Sequence, residues 1–181
     1  KQLELTNLRK KKVLVTWAKS GLARPWSSVQ SHLLLASRFG MNVSLARPDG
    51  YDLDSKVYDM IKNNTDEFGG DFNIVNNPEE GYDDVDIVYT RNWVSPHAYQ
   101  QGIFDRSSEV ARAMRYENWI VTAERMKRTN NALFANPMPV DRGVEAEDAI
   151  IDSPRSIIYD VAENRLHVQK ALLALVMGDI M

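Results

Sequence analysis

Residues 12–46, KVLVTWAKSGLARPWSSVQSHLLLASRFGMNVSLA, decide the fold class. The opening KVLVTW and the closing NVSLA are short, apolar and partly β-branched, which predicts two strands. Between them Ser27 and Ser28 are good N-cap types. Val29, Leu33, Leu34, Ala36 and Phe39 then follow at helical spacing until Gly40 offers a stop. A strand, a helix and a second strand in this order make a βαβ unit, so the two strands are expected to lie parallel.

The same alternation continues outward. Asp54 is placed to cap a helix whose Val57, Met60 and Ile61 share one face, and Gly69-Gly70 ends it. Further strands are predicted at 72–75, 86–90 and 132–135, and helices at 107–115 and 122–129, the latter with Thr122 at its capped first turn. Residues 161–177 predict a closing amphipathic helix with Leu166, Ala171, Leu172, Leu175 and Val176 among its apolar positions. The expected fold class is α/β: a three-layer α/β/α Rossmann-like domain with a parallel sheet of about five strands. Sheets of this kind bind ligands outside the carboxyl ends of their strands, which directs attention to the loops after Trp17, Thr90 and Ala135.

Composition narrows the function. The chain has 181 residues, 44% of them hydrophobic, which suits one domain with a core of its own. A formal net charge of -3 offers no broad basic face for a nucleic acid. With no cysteine, disulfides, thiolate metal sites and a cysteine nucleophile are excluded, and a reducing cytoplasm is the expected setting. No apolar run approaches the ~20 residues of a membrane helix, so no membrane partner is expected. His32, His97 and His167 lie far apart without a second ligand at metal-site spacing, so no metal is expected either. Asp83, Asp84 and Asp86 read as a solvated turn. The opening KQLELTNLRKKK is charged and weakly periodic, and reads as the cut end of a preceding domain.

Four stretches carry candidate chemistry. The loop WAKSGLARPWSS has a single glycine where a dinucleotide-binding G-x-G-x-x-G would stand, which argues against a nicotinamide site, yet it is long and holds Lys19, Arg24, Pro25 and Trp26. Arg91 and Trp93, in TRNW after the fourth strand, offer a guanidinium fork for a carboxylate and an indole wall, or simply a surface ion pair. In Asn136-Pro137-Met138-Pro139 two prolines remove donors and leave carbonyls outward, which suits a ligand with N–H groups and equally suits a strand terminator. Finally, DSPRSIIYDVAENRLHVQK brings Arg165 into the last helix, where it answers an anion or pairs with Glu163 or Asp160.

Taken together, these residues resemble the aspartate/ornithine carbamoyltransferases. The branch they are most similar to has a knotted backbone and includes the N-acetylornithine and N-succinylornithine enzymes. The run VTAERMKRTNNALFANPMPVDRGVEAEDAIIDSPRSIIYDVAENRLHVQKALLAL resembles the family's last strand, its H-C-L-P or H-P-L-P turn and its E-N-R helix. The resemblance implies that residues 1–181 are the amino-acid-binding domain of such an enzyme and that the N-terminal, carbamoyl-phosphate-binding domain is absent, since neither S-x-R-T nor H-P-x-Q occurs. It implies transfer of the carbamoyl group of carbamoyl phosphate to an amino-acid acceptor without metal or organic cofactor, in a homotrimer when full length. The chain alone is then expected to be inactive.

Mapped by this resemblance, Arg165 is the catalytic arginine, and with Pro137 and Met138 it would hold the carbamoyl group. Arg91, Trp93, Ser28 and Arg142 would bind the acceptor. Arg91 stands where ornithine enzymes carry Asp, which points to a carboxylate on the acceptor. Asn136 replaces the usual His, and Asp141 replaces one of two basic residues of the acetylornithine type, leaving Arg142. In the family the closing helix reaches back toward the N-terminal domain. Two other readings stand beside the enzyme: a non-catalytic carbamoyltransferase-like protein with a structural or regulatory role, and a generic nucleotide-binding α/β domain.

Overall fold

The computed structural model describes residues 8–100 and 104–178, so most of the charged opening segment lies outside the described residues. In chain order the strands are β1 (Lys12–Trp17), β2 (Asn42–Ala46), β3 (Phe72–Val75), β4 (Ile87–Arg91) and β5 (Leu133–Ala135). The helices are α1 (Ser27–Arg38), α2 (Ser55–Phe68), α3 (His97–Gln100), α4 (Arg106–Ala113), α5 (Ala123–Lys127), α6 (Asp148–Ile151) and α7 (Ile158–Met177). The five strands form one sheet in the order β3-β2-β1-β4-β5, and every neighbouring pair is parallel.

The central strand shows why this sequence folds so. Val13, Leu14, Val15 and Trp17 of β1 are all buried, and because successive side chains point to opposite faces, both faces of the sheet are covered. Leu33 and Val29 of α1, Ile61 of α2 and Phe134 of β5 complete the core. Edge strand β3 is only partly buried, whereas edge strand β5 is buried, its outer side covered by Arg155 and Ile157 through backbone hydrogen bonds to Phe134. Gly70 makes the entry to β3 possible. Its φ is +93°, and a Cβ there would stand 2.3 Å from the carbonyl oxygen of Met41.

The helix ends separate local from tertiary causes. Asp54 caps α2 by accepting from the Lys56 amide at 3.0 Å, and Thr122 caps α5 by accepting from the Arg125 amide at 3.3 Å, both at the predicted places. Helix α1 departs from the expectation. Trp26, not Ser27 or Ser28, stands at its N-cap, and no side chain caps it. Instead the Trp26 amide donates to the Tyr99 hydroxyl at 3.1 Å while the two rings stack 4.3 Å apart. The remote aromatic takes the place of a local cap, and Ser28 is left beside Tyr89.

Helix α7 departs further. It begins at Ile158, earlier than predicted, and Ile158 is its one buried residue. The apolar positions that defined its amphipathic face are exposed, from Leu166 at 54% to Val176 at 75%. Among the described residues that face has nothing to pack against.

Candidate functional site

Strand β1 continues into β2 on one side of the sheet, while its other neighbour, β4, leads on to β5 in the opposite direction. The β1/β4 boundary is therefore the topological switch point, where the flanking loops diverge and leave a crevice. Trp17 and Arg91 face each other in register at the carboxyl ends of these two strands. The loops after β1, β4 and β5 all meet there.

After β5, Asn136 is fully buried and ties the turn down at two points. Its Nδ2 donates to the Thr90 carbonyl at 2.9 Å, and its Oδ1 accepts from the Met138 amide at 2.8 Å. Met138 adopts a left-handed φ of +56° and precedes a cis bond to Pro139. The turn thus presents the Met138 and Pro139 carbonyls toward the neighbouring loops. Arg91 donates from one terminal nitrogen to both of them, at 3.4 and 3.2 Å. Its Nε is buried and has no hydrogen-bond partner among the described residues. Burial, and then the nearby Arg24 cation, pull the Arg91 guanidinium below the ordinary arginine value.

Behind Arg91 lies a buried ion pair. Arg24, from the loop after β1, donates to Glu145 Oε1 at 2.9 Å and to the Pro139 carbonyl at 2.9 Å. Glu145 has no exposed surface. Its Oε1 also accepts from the Asn92 amide at 3.0 Å, and its Oε2 accepts from the Asp141 amide at 2.7 Å. Burial raises the Glu145 carboxyl above the usual carboxylate range, against the pull of Arg24 and the two amides. Asp141 closes the ring by accepting from the Ser20 hydroxyl at 2.9 Å.

The structure brings together Arg91, Pro137 and Met138 from the predicted site, with Ser28 one contact away through Tyr89, which the Arg91 charge also reaches. The other predicted residues lie elsewhere. Trp93 is fully buried. Its indole nitrogen donates to the Tyr51 carbonyl at 3.0 Å and its own carbonyl accepts from Trp17, so it shapes the loop instead of walling the crevice. Arg142 is held by Asp148 and Asp152 of its own loop and helix. Arg165 is exposed on α7 and pairs with neither Glu163 nor Asp160, Glu163 facing His167 at 3.5 Å instead. Sequence reasoning missed Glu145 altogether. Its one signal is a single acid set between the apolar Val144 and Ala146, a weak pattern in a loop rich in acids.

Residues 26–176 match the family described as aspartate/ornithine carbamoyltransferase, Asp/Orn binding domain. The chain belongs to that family. It is 35% identical over 173 residues to the N-acetylornithine carbamoyltransferase of Xanthomonas campestris, an overlap of 95% of this chain and 50% of that protein. It is 36% identical over 151 residues to the ornithine carbamoyltransferase of Thermococcus kodakarensis, covering 83% and 46% respectively. Among solved structures, N-acetyl-L-ornithine transcarbamylase superposes with a TM-score of 0.85 at 35% identity, over 93% of this chain and 51% of that one. An acetylornithine transcarbamylase complexed with acetylcitrulline superposes with the same TM-score of 0.85. The chain spans about half the length of the curated relatives it matches. No helix among the described residues is long and apolar enough to cross a membrane.

Proposed function

We propose that this chain is the acceptor-binding half of a carbamoyltransferase that moves the carbamoyl group of carbamoyl phosphate onto the amino group of a carboxylate-bearing amino-acid acceptor. The observation that carries the reading is Arg91: a half-buried guanidinium at the switch point, touching the Met138 and Pro139 carbonyls and keeping its Nε free of partners among the described residues. A guanidinium so placed binds a carboxylate in two-pronged fashion.

In this reading Arg91 anchors the acceptor. The turn carbonyls, with Pro137 in the lead because Met138 already receives Arg91, accept the N–H groups of the carbamoyl nitrogen. Ser28 lines the acceptor side beside Tyr89, Trp93 holds the loop that carries Arg91, and Arg142 is given over to Asp148 and Asp152. The acceptor amine forms a bond to the carbamoyl carbon, the bond from that carbon to the phosphate oxygen breaks, and phosphate departs with the electron pair and takes up the proton that the amine loses. Arg165 polarises the carbamoyl oxygen and stabilises the charge that develops there. The phosphate site belongs to a second, N-terminal domain, and family resemblance supports a cytoplasmic homotrimer.

The test is an acceptor screen on the intact protein, scored as phosphate released from carbamoyl phosphate. Arg165→Ala is expected to abolish transfer, and Arg91→Ala to raise the KM for the acceptor about 30-fold, the equivalent of about 2 kcal/mol. Normal turnover by Arg165→Ala sinks the assignment. If no acceptor releases phosphate, the protein is a non-catalytic relative.

A further inference from the structure

We propose that Glu145 is the positioning residue of the crevice: one buried carboxylate that fixes the loops after β1, β4 and β5 so that Arg91 and the Pro137-Met138 turn face the same space. The inference rests on the carbamoyltransferase reading and adds a residue to it.

The geometry is unusually convergent. Each loop that leaves the carboxyl edge of a parallel sheet carries backbone donors with no strand partner, and these need acceptors once buried. Glu145 takes the Asn92 amide from the loop after β4, the Asp141 amide from the loop after β5, and Arg24 from the loop after β1. Arg24 then passes the constraint to the Pro139 carbonyl, which Arg91 also contacts. Beside the Asn136 tie to Thr90, the separation between the anchoring cation and the turn carbonyls is therefore set through Glu145.

Chemistry restricts what can stand there. Both carboxylate oxygens already accept, so a glutamine would turn an N–H group toward either the Asp141 amide or the donors on Oε1. Aspartate is one methylene too short to reach all three. The charge matters as well, since without it the Arg24 and Arg91 guanidiniums would share the site uncompensated. A buried ion pair adds little stability over well-packed apolar residues of the same size. Retaining one at the mouth of the crevice points to placement of the loops.

The intact protein tests this with three variants. Glu145→Gln is expected to lower kcat/KM for the acceptor at least 100-fold. The paired variant Arg24→Met, Glu145→Met removes both charges together, and is expected to melt within a few degrees of the parent while keeping the 100-fold loss. Glu145→Asp should recover less than a tenth of the activity. Amide exchange at Asn92 or at Asp141, whichever faces the new amide nitrogen, should accelerate at least 100-fold in Glu145→Gln. Activity of the paired variant within threefold of the parent would overturn the proposal, because charge balance alone would then suffice. So would unchanged exchange at both amides. Should the parent protein release no phosphate with any acceptor, the functional reading fails, and exchange at Asn92 and Asp141 still decides whether Glu145 fastens the loops.

Discussion

The crevice and helix α7 hold the two halves of the predicted site, and they are built in opposite ways. In the crevice Arg24, Glu145 and Asp141 are joined by hydrogen bonds of 2.7 and 2.9 Å, Asn136 binds Thr90 and Met138 at 2.9 and 2.8 Å, and Glu145 and Asn136 are fully buried. Along α7 a single residue of twenty is buried, and Arg165 makes no ion pair among the described residues. The contrast teaches that the polar network around Arg91 is preformed within this chain, whereas Arg165, the residue proposed to act on the carbamoyl group, rides on an element that nothing among the described residues holds in place.

Substitutions can break that comparison, and the largest effect is expected in the crevice. Glu145→Ala leaves the Arg24 guanidinium buried without its counter-charge and strands two amides, so unfolding in urea should show a loss of about 3–5 kcal/mol. A loss below about 1 kcal/mol would mean that water enters the site and relieves the charge.

Acid should be felt next. His32 stacks on Tyr89 with centroids 4.1 Å apart, its Nε2 is buried without a hydrogen-bond partner among the described residues, and burial lowers its imidazole from 6.5 to about 4. Between those values the unfolded chain binds a proton that the folded chain refuses, so stability falls as pH drops through that window. The loss approaches roughly 3 kcal/mol once pH is below both values. His32→Gln should flatten that limb of the urea midpoint against pH. An imidazole titrating near 6.5 by NMR in the folded protein would remove the basis for this expectation.

The smallest effect sharpens the other side. Leu172 is 60% exposed on α7, so Leu172→Ala in this chain should change stability by no more than about 0.5 kcal/mol, against about 2–5 kcal/mol for a buried leucine such as Leu33. A cost of several kcal/mol at Leu172 would show that α7 packs in solution, and the contrast would dissolve.

Much of the fold was legible because its signals are local. The strands at 12–17, 42–46 and 72–75 fall where apolar and β-branched runs predict them. Asp54 and Thr122 cap the helices they precede. Strand β4 shifts by one residue because the Asp86 carboxylate accepts from the Lys12 amide and Lys11 while Arg91 joins the ladder opposite Trp17. Helices α3 and α6, of four residues each, are too short to display a period. What was not legible depends on partners far along the chain. Tyr99 begins α1 from 73 residues away, and Glu145 reaches Asn92 across 53 residues and Arg24 across 121. No window of sequence contains such a relation, so the turn at Asn136 and the arginine at 91 could be nominated while the carboxylate that joins them could not.

That separation of 121 residues between Arg24 and Glu145 also sets a timetable. At about 5–20 residues per second of synthesis, Arg24 is made roughly 6–24 s before its partner. Strands β1 and β2 pair across residues 12–46 and can close early, so nascent protein should pass through a stage in which a folded βαβ unit already exists while Arg24 still faces water. The junction around Glu145 is then among the last features of the chain to mature, and a ribosome stalled before residue 145 would carry β1 and β2 without the carboxylate that ties the loop after β1.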